Sequence, residues 1–335
     1  MQDLIQQLAS ELDKDPRHVE NVVRLLDEGN TIPFIARYRK EATNAMDDQV
    51  LRQLADRLEY LRGLEKRKGE VAATIEELGA MTPELKKALD AAKTLAEVED
   101  IYRPYKPKRK TRASVAKARG LEPLAQAIFA QKPGLDVNAE AAKYINDEVP
   151  DAEAALAGAR DIIAEQVSDD AALRAQLRRF YQTFGLVKSR AAKEEDSVYA
   201  GYYDFSQAVN KIAGHRVLAL DRGEREGFLK VTVEVDAEKA VGGIRRMFVK
   251  AGGGPSAAQV SAAVEDAYTR LIHPSLEREV RSNLSEEAAE GAIQVFGENL
   301  RQLLLQPPIK GKVALGMDPG YRMGCKVAVV DETGK

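Results

Sequence analysis

The residues of this chain whose types and spacing could do chemistry are a single carboxylate and a dense run of cations. Asp318 follows the apolar run Val313-Ala-Leu-Gly-Met317 and opens the bend Asp318-Pro-Gly-Tyr-Arg-Met-Gly324; a second apolar run, Lys326-Val-Ala-Val-Val330, comes next. Two such runs around a Gly/Pro bend predict a β-hairpin with Asp318 at the end of its first strand. A strand-end aspartate is the kind of ligand used in two-metal phosphodiester cleavage, but that chemistry needs several oxygens to hold two ions about 4 Å apart. This sequence ends before the later strands that would supply them, so a nuclease site cannot be assembled from it alone and Asp318 is given no catalytic role here. The cations lie in Ile101–Arg119, which holds Arg103, Lys106, Lys108, Arg109, Lys110, Arg112, Lys117 and Arg119 and no acid. Residues 1–100, by contrast, carry 15 basic and 21 acidic residues. Tyr102 and Tyr105 interleave with the charges, and Pro104 and Pro107 favour an extended strip. Cations beside aromatic rings suit phosphate binding with bases stacked on the rings. The competing reading is a solvated loop that pairs with the acidic helices around it.

Other chemistry finds no support. His18, His215 and His273 stand singly, and one cysteine, Cys325, excludes an internal disulfide and a Cys/His metal cluster. No metal and no cofactor are expected. Gly252-Gly-Gly-Pro255 has no Gly-Lys-Ser/Thr after it and reads as a flexible connection, not a phosphate loop. The net charge of −3 argues against a uniformly basic nucleic-acid binder and leaves room for a local patch. No uncharged apolar run approaches the roughly 18 residues a membrane helix needs, so no membrane partner is expected. The cysteine usage and the absence of a leader pattern suggest the cytoplasm.

The elements that must position these residues are mostly helical. At 335 residues the chain has room for two or more domains. Residues 1–45 read as short helices, one opened by Asp15-Pro16, with a break at Glu28-Gly-Asn-Thr31 that gives a helix-turn-helix pattern. Its second helix carries Arg37, Arg39 and Lys40, able to lie on phosphates; a plain helical hairpin with a solvated basic end is the alternative. Residues 46–200 form a helical core. Within it Leu51, Leu54, Leu58, Leu61, Leu64, Val71, Ile75 and Leu78 predict one helix from Asp47 to Leu78, with Gly63 and Gly69 as places of close helix contact. Thr94-Leu-Ala-Glu97 predicts a capping box. The aromatics of residues 180–205 read as a packing hub in preference to a stacking surface. Residues 201–308 are expected to hold two strands, His215–Leu220 and Gly227–Val235, joined by a charged turn, then helices from Ser256 to His273 and Ser275 to Leu305, stopped by Pro307-Pro308. Residues 309–335 give the hairpin. The fold class is therefore mainly α, with a small β-hairpin element and the start of a mixed α/β domain.

Five separated motifs then carry a resemblance. Ile101-Tyr-Arg-Pro-Tyr-Lys-Pro-Lys-Arg-Lys-Thr-Arg112, Phe184-Gly-Leu-Val-Lys-Ser-Arg190 with Tyr202-Tyr-Asp-Phe205, Gly214-His-Arg-Val-Leu-Ala-Leu-Asp-Arg-Gly-Glu224, Leu271-Ile-His-Pro-Ser-Leu-Glu277 and Leu315-Gly-Met-Asp-Pro-Gly-Tyr-Arg322 closely resemble the bacterial Tex transcription accessory proteins, over essentially the whole chain. The resemblance implies a helical region with a helix-turn-helix, then a YqgF-type RNase H-like domain opened by the hairpin. It also implies helix-hairpin-helix elements and a C-terminal OB-fold RNA-binding domain that lie outside this sequence. It implies sequence-nonspecific binding of RNA, DNA or both, work alongside RNA polymerase or its factors, and a degenerate RNase H-like site in which Asp318 matches the motif without cleaving. A junction-resolving nuclease and a helical protein-interaction scaffold are the competing functions.

Overall fold

A computed structural model describes residues 2–107, 110–193, 195–307, 311–320 and 324–335. The helices are α1 Gln2–Leu12, α2 Pro16–Asp27, α3 Ile32–Tyr38, α4 Asp48–Glu77, α5 Pro83–Ala91, α6 Leu95–Tyr102, α7 Arg112–Ala118, α8 Glu122–Ala130, α9 Val137–Ala142, α10 Ala152–Ser168 and α11 Ala171–Phe184. Then come β1 Leu186–Ala191, β2 Asp204–Ala208, α12 Gly214–Arg225, β3 Leu229–Glu234, α13 Ala237–Phe248, α14 Gly254–Asp266, α15 His273–Leu304, β4 Ala314–Gly320 and β5 Gly324–Val330. The fold is mainly α with two small antiparallel sheets. It divides into two compact units, residues 1–177 with 237–273 and residues 178–236 with 274–335.

The first unit is built along α4. Its ends are local: the Asp47 carboxylate accepts from the Val50 N–H at 2.8 Å, and Leu78 is the C-cap. At about 1.5 Å per residue the helix is a rod of roughly 45 Å. Its apolar stripe serves two separate cores. Leu51, Leu54, Leu58 and Leu61 pack with Ile5, Leu8, Val19, Val22 and Ile35 of α1 to α3. Leu64, Val71 and Ile75 pack with Leu89 and Val98 of α5 and α6. Each fully buried leucine contributes about 1.5–3 kcal/mol. Gly63 and Gly69 do not mark close contacts: a Cβ at either would meet nothing within 4 Å. Elsewhere in this unit α10 is the hub, burying Ala155, Leu156, Ala159, Ile162, Ile163 and Val167. Gly158 permits that packing, since a Cβ there would lie 2.4 Å from Leu121 Cδ1.

An ion pair ties α1 to α4. Arg57 donates from Nε and Nη2 to both oxygens of Glu11, at 2.6 and 2.8 Å. These bonds, helped by Gln7, hold the Glu11 pKa down to about 2 from its ordinary 4.5. A depressed carboxylate stabilises the fold above its unfolded pKa and loses that contribution as pH falls through the folded one. Both side chains are about one-third exposed, so the gain is at most about 1 kcal/mol. Glu11→Gln is expected to unfold more readily than wild type near pH 7 and to match it near pH 2. Thermal melts at the two pH values check this, and an equal gap at both would remove the pair as the cause.

Several local expectations are corrected in the second unit. His215–Leu220 is not a strand but part of α12, and the charged segment after it continues the helix. A short apolar run fits either period, and here Val217 and Leu220, three apart, are the buried positions. The charges of that segment are consumed internally. Arg281 on α15 donates to Asp221 at 3.0 Å, to Glu224 at 2.7 Å and to the Val231 carbonyl at 2.9 Å. Burial alone would raise the Glu224 carboxyl, but Arg281 and the Val231 N–H outweigh it and hold the pKa below its ordinary value. β3 was anticipated; β1 and β2 were not. The sheet order is β2-β1-β3, with Ser189 paired to Phe205 on one side and Val231 on the other. The outer edge of β3 is closed by side chains: Val231 and Val233 N–H groups donate to Glu224 and Glu277. That blocks a further strand from adding there.

The helix break expected at Pro274 is absent. α14 runs through a π-helical turn, Ala267–Ile272, into α15, and the wider turn accommodates a proline that has no N–H to give. Gly252–Gly254 is not a loose connection either. Gln131 donates to the Phe248 carbonyl and accepts from the Lys250 N–H, both at 2.8 Å, which closes the turn, and Gly254 begins α14. The aromatic hub is real in part: Tyr181 and Tyr199 are buried, whereas Phe184 is exposed. Every residue from Glu290 through Pro307 is exposed. The hairpin also differs from expectation, because β4 continues past Asp318 to Gly320. Leu315 with Val329 and Met317 with Val327 make one apolar, exposed hairpin face.

Candidate nucleic-acid interface

The basic strip is helical at both ends, and between them Lys106 and Thr111 have extended backbone. Tyr102 ends α6, Arg103–Tyr105 form a single 3-10 turn that contains Pro104, and Arg112 starts α7. A capping box begins α7: Ser114 N–H donates to Thr111 Oγ1 at 3.0 Å, and Thr111 N–H to Ser114 Oγ at 2.8 Å. The box expected at Thr94 is incomplete, since Glu97 accepts from Lys93 and not from Thr94. Lys108 and Arg109 lie outside the described residues.

Tyr102 and Tyr105 are half-buried against the Leu64, Val71 and Ile75 core. The Tyr102 ring is further occupied by the Arg67 guanidinium at 5.4 Å and the Lys106 ammonium at 5.5 Å. Lys106 pairs with Glu99, which also accepts from Arg67 at 2.7 Å. Burial pushes the Glu99 carboxyl up, the two cations pull it down more, and its pKa lies below the ordinary value. Lys117 pairs with Glu122 at 3.1 Å and Arg119 sits 3.9 Å from Glu148. Three of the strip's cations, Lys106, Lys117 and Arg119, are therefore held by acids. Arg103 is half-buried. Lys110 and Arg112 are exposed and make no ion pair with any described residue. Arg112 is close enough to influence the Asp161 carboxyl, which burial raises above its ordinary value.

The N-terminal cations are different. α2 and α3 join through Glu28–Thr31, with Gly29 at φ +82° making the left-handed turn. His18 and Asn21 of α2 bond the Ala42 carbonyl, which fixes the chain after α3. Two helices joined by a short turn are present, and the second, α3, has only seven residues. Arg37, Arg39 and Lys40 are exposed at its C-terminal end and none pairs with a described carboxylate. The Arg39 guanidinium lies 5.1 Å from the centre of the Phe34 ring. A further residue stands among them: Tyr38 of α3 is 60% exposed. The sequence signal was its place at the last turn of α3, beyond the reach of the core below Ile35. The cations near α3 and those of the strip do not meet in one cluster. The first set follows α3, which packs on the core at the start of α4; the strip begins on the core at the end of α4, and its later part, α7, packs on α10.

Asp318 lies exposed on β4 opposite Lys326. Among the described residues no three His, Cys, Asp or Glu side chains converge to hold a metal ion. Among the described residues no helix is long and apolar enough to cross a membrane.

Fold and surface together define a mainly helical protein with two small antiparallel sheets and exposed cations at the end of α3 and at Lys110 and Arg112. Family comparison agrees in every segment it covers. Residues 2–76 match the Tex-like protein N-terminal domain, residues 132–296 the Tex central region, and residues 312–335 the Tex protein YqgF-like domain. The chain is 43% identical to "Protein tex" of Bordetella pertussis, over 99% of its length and 44% of the relative's. It is 41% identical to the "Transcriptional accessory protein Tex" of Neisseria gonorrhoeae, over 98% of its length and 44% of the relative's. Identity to the human "S1 RNA-binding domain-containing protein 1" is 32%, over 99% of this chain and 35% of the relative. The chain belongs to the Tex family. It spans less than half the length of these relatives, and its C-terminal hairpin is the start of a YqgF-like domain.

Proposed function

We propose that this chain is a cytoplasmic, nucleic-acid-binding accessory of transcription that binds RNA, DNA or both without sequence preference. One observation carries the reading. In a chain of net charge −3, Arg37, Arg39, Lys40, Lys110 and Arg112 stay exposed without an ion pair to any described residue, whereas Lys106, Lys117 and Arg119 are paired. Unpaired cations bind phosphate by releasing condensed counterions, and that gain does not depend on base identity. The names of the Neisseria and human relatives support a role near transcription and RNA. RNA polymerase or a factor bound to it is the proposed protein partner. A titration with single- and double-stranded DNA and RNA at two salt concentrations tests the reading. Binding that weakens steeply with salt supports it, and absence of binding at low salt leaves the scaffold function in its place.

We also propose that the chain acts without catalysis. Incubation with Mg²⁺ or Mn²⁺ is expected to leave junctions, RNA–DNA hybrids and single strands uncut. Cleavage that Asp318→Asn abolishes would establish the nuclease instead.

A further inference from the structure

At Tyr102, one of the two rings foreseen for stacking, the Arg67 and Lys106 cations already lie against the ring, and Tyr105 is half-buried, so a more exposed ring is a better place for a base to stack. Three aromatic side chains among the described residues are more than half exposed: Tyr38, Phe184 and Phe296, at 60%, 63% and 67%. Phe184 has no charged residue within two positions along the chain, and Phe296 has Glu298. Tyr38 alone has three cations within two positions, Arg37, Arg39 and Lys40, and none of them pairs with a described carboxylate. Glu41, the next residue, forms no ion pair with them.

The local packing prepares the ring for a ligand. Phe34 supports it from one helical turn below, with ring centres 5.2 Å apart at 47°. The Arg39 guanidinium sits by the Phe34 ring, and its Nη1 donates to the Tyr38 carbonyl at 3.3 Å. That contact fixes the backbone at the end of α3 and leaves the phenol ring alone. The Tyr38 hydroxyl makes no hydrogen bond to any described residue. A single exposed aromatic needs no explanation by itself. A supported ring flanked by unpaired cations is what a single strand requires, because its bases offer free faces and its phosphates lie one nucleotide apart. A duplex keeps its bases stacked on each other and can use only the cations.

We infer that Tyr38 is the base-stacking residue of this protein and that α3 is a platform for single-stranded nucleic acid. This rests on the nucleic-acid reading above and deepens it. The experiment compares the full chain with Tyr38→Ala, Tyr38→Phe and Tyr102→Ala, using oligo-dT, oligo-rU and a blunt DNA duplex of matched length. Tyr38→Ala is expected to weaken both single strands about tenfold and to leave the duplex affinity unchanged. Its salt slope should equal that of wild type, since no charge is lost. Tyr38→Phe should retain wild-type affinity, and Tyr102→Ala should retain it once its folded fraction is accounted for. If wild type binds and Tyr38→Ala matches it, or loses single strand and duplex alike, the stacking assignment falls while the broader reading stands. If wild type binds none of the three probes, both fall.

Discussion

Replacing Arg174 by methionine is expected to lower the unfolding free energy by about 3–5 kcal/mol, the largest effect of any single substitution discussed here. Arg174, near the start of α11, donates from Nε to Asp100 Oδ1 at 2.8 Å, and the two side chains are 1% and 6% exposed. Two charges have been taken out of water at this point, and their attraction offsets the desolvation only while both are present. Removing the arginine leaves Asp100 buried without its main counter-charge. Asp100 is on α6, the helix that leads directly into the basic strip, so the pair also fixes where the strip begins. Asp100→Leu should cost a similar amount. The double variant should be far less damaging than the sum of the two, because no charge then remains buried. Urea unfolding of the four proteins in the cycle measures this. Additive costs, or single variants within about 1 kcal/mol of wild type, would show that the pair is not the anchor described.

The second large effect concerns binding. Neutralising Arg37, Arg39, Lys40, Lys110 and Arg112 together by Gln is expected to weaken nucleic acid by about 10²–10³-fold at low salt. The slope of log affinity against log salt should fall by up to about 3.5 on single strands, at about 0.7 for each lost phosphate contact. A control removes as many of the paired cations as the strip offers. Lys106→Gln, Lys117→Gln and Arg119→Gln together should lower stability slightly and leave affinity near wild type. Those side chains already hold Glu99, Glu122 and Glu148. Sequence alone ranks the two sets equally, so the comparison isolates what the fold adds. If the control loses as much affinity as the five-residue variant, the division into paired and unpaired cations has no bearing on binding.

The lengths and ends of the major helices were legible without any structure. Asp47 and Leu78 bound α4, Asp15 and Pro16 open α2, and Gln306-Pro-Pro308 stands just past the end of α15, because caps, prolines and apolar spacing act within a few residues. The hairpin was legible for the same reason, with its two apolar runs in register. The short strands β1 and β2 were not, since five or six residues of mixed character become strands only by pairing with partners that are distant along the chain. The same limit made α12 look like strand and turn, for its charges make sense only beside Arg281, 60 residues away from Asp221. The list of basic residues was fixed by the sequence, but their availability was not. Glu99 claims Lys106 because α6 and the turn after it fold back along α4, and the same packing puts Lys106 and Arg67 against the Tyr102 ring. α3 ends beyond its core, so Tyr38 and its neighbouring cations remain in solvent. Local chemistry thus set the elements and the charge inventory, while long-range packing decided which charges and which ring are left for a partner.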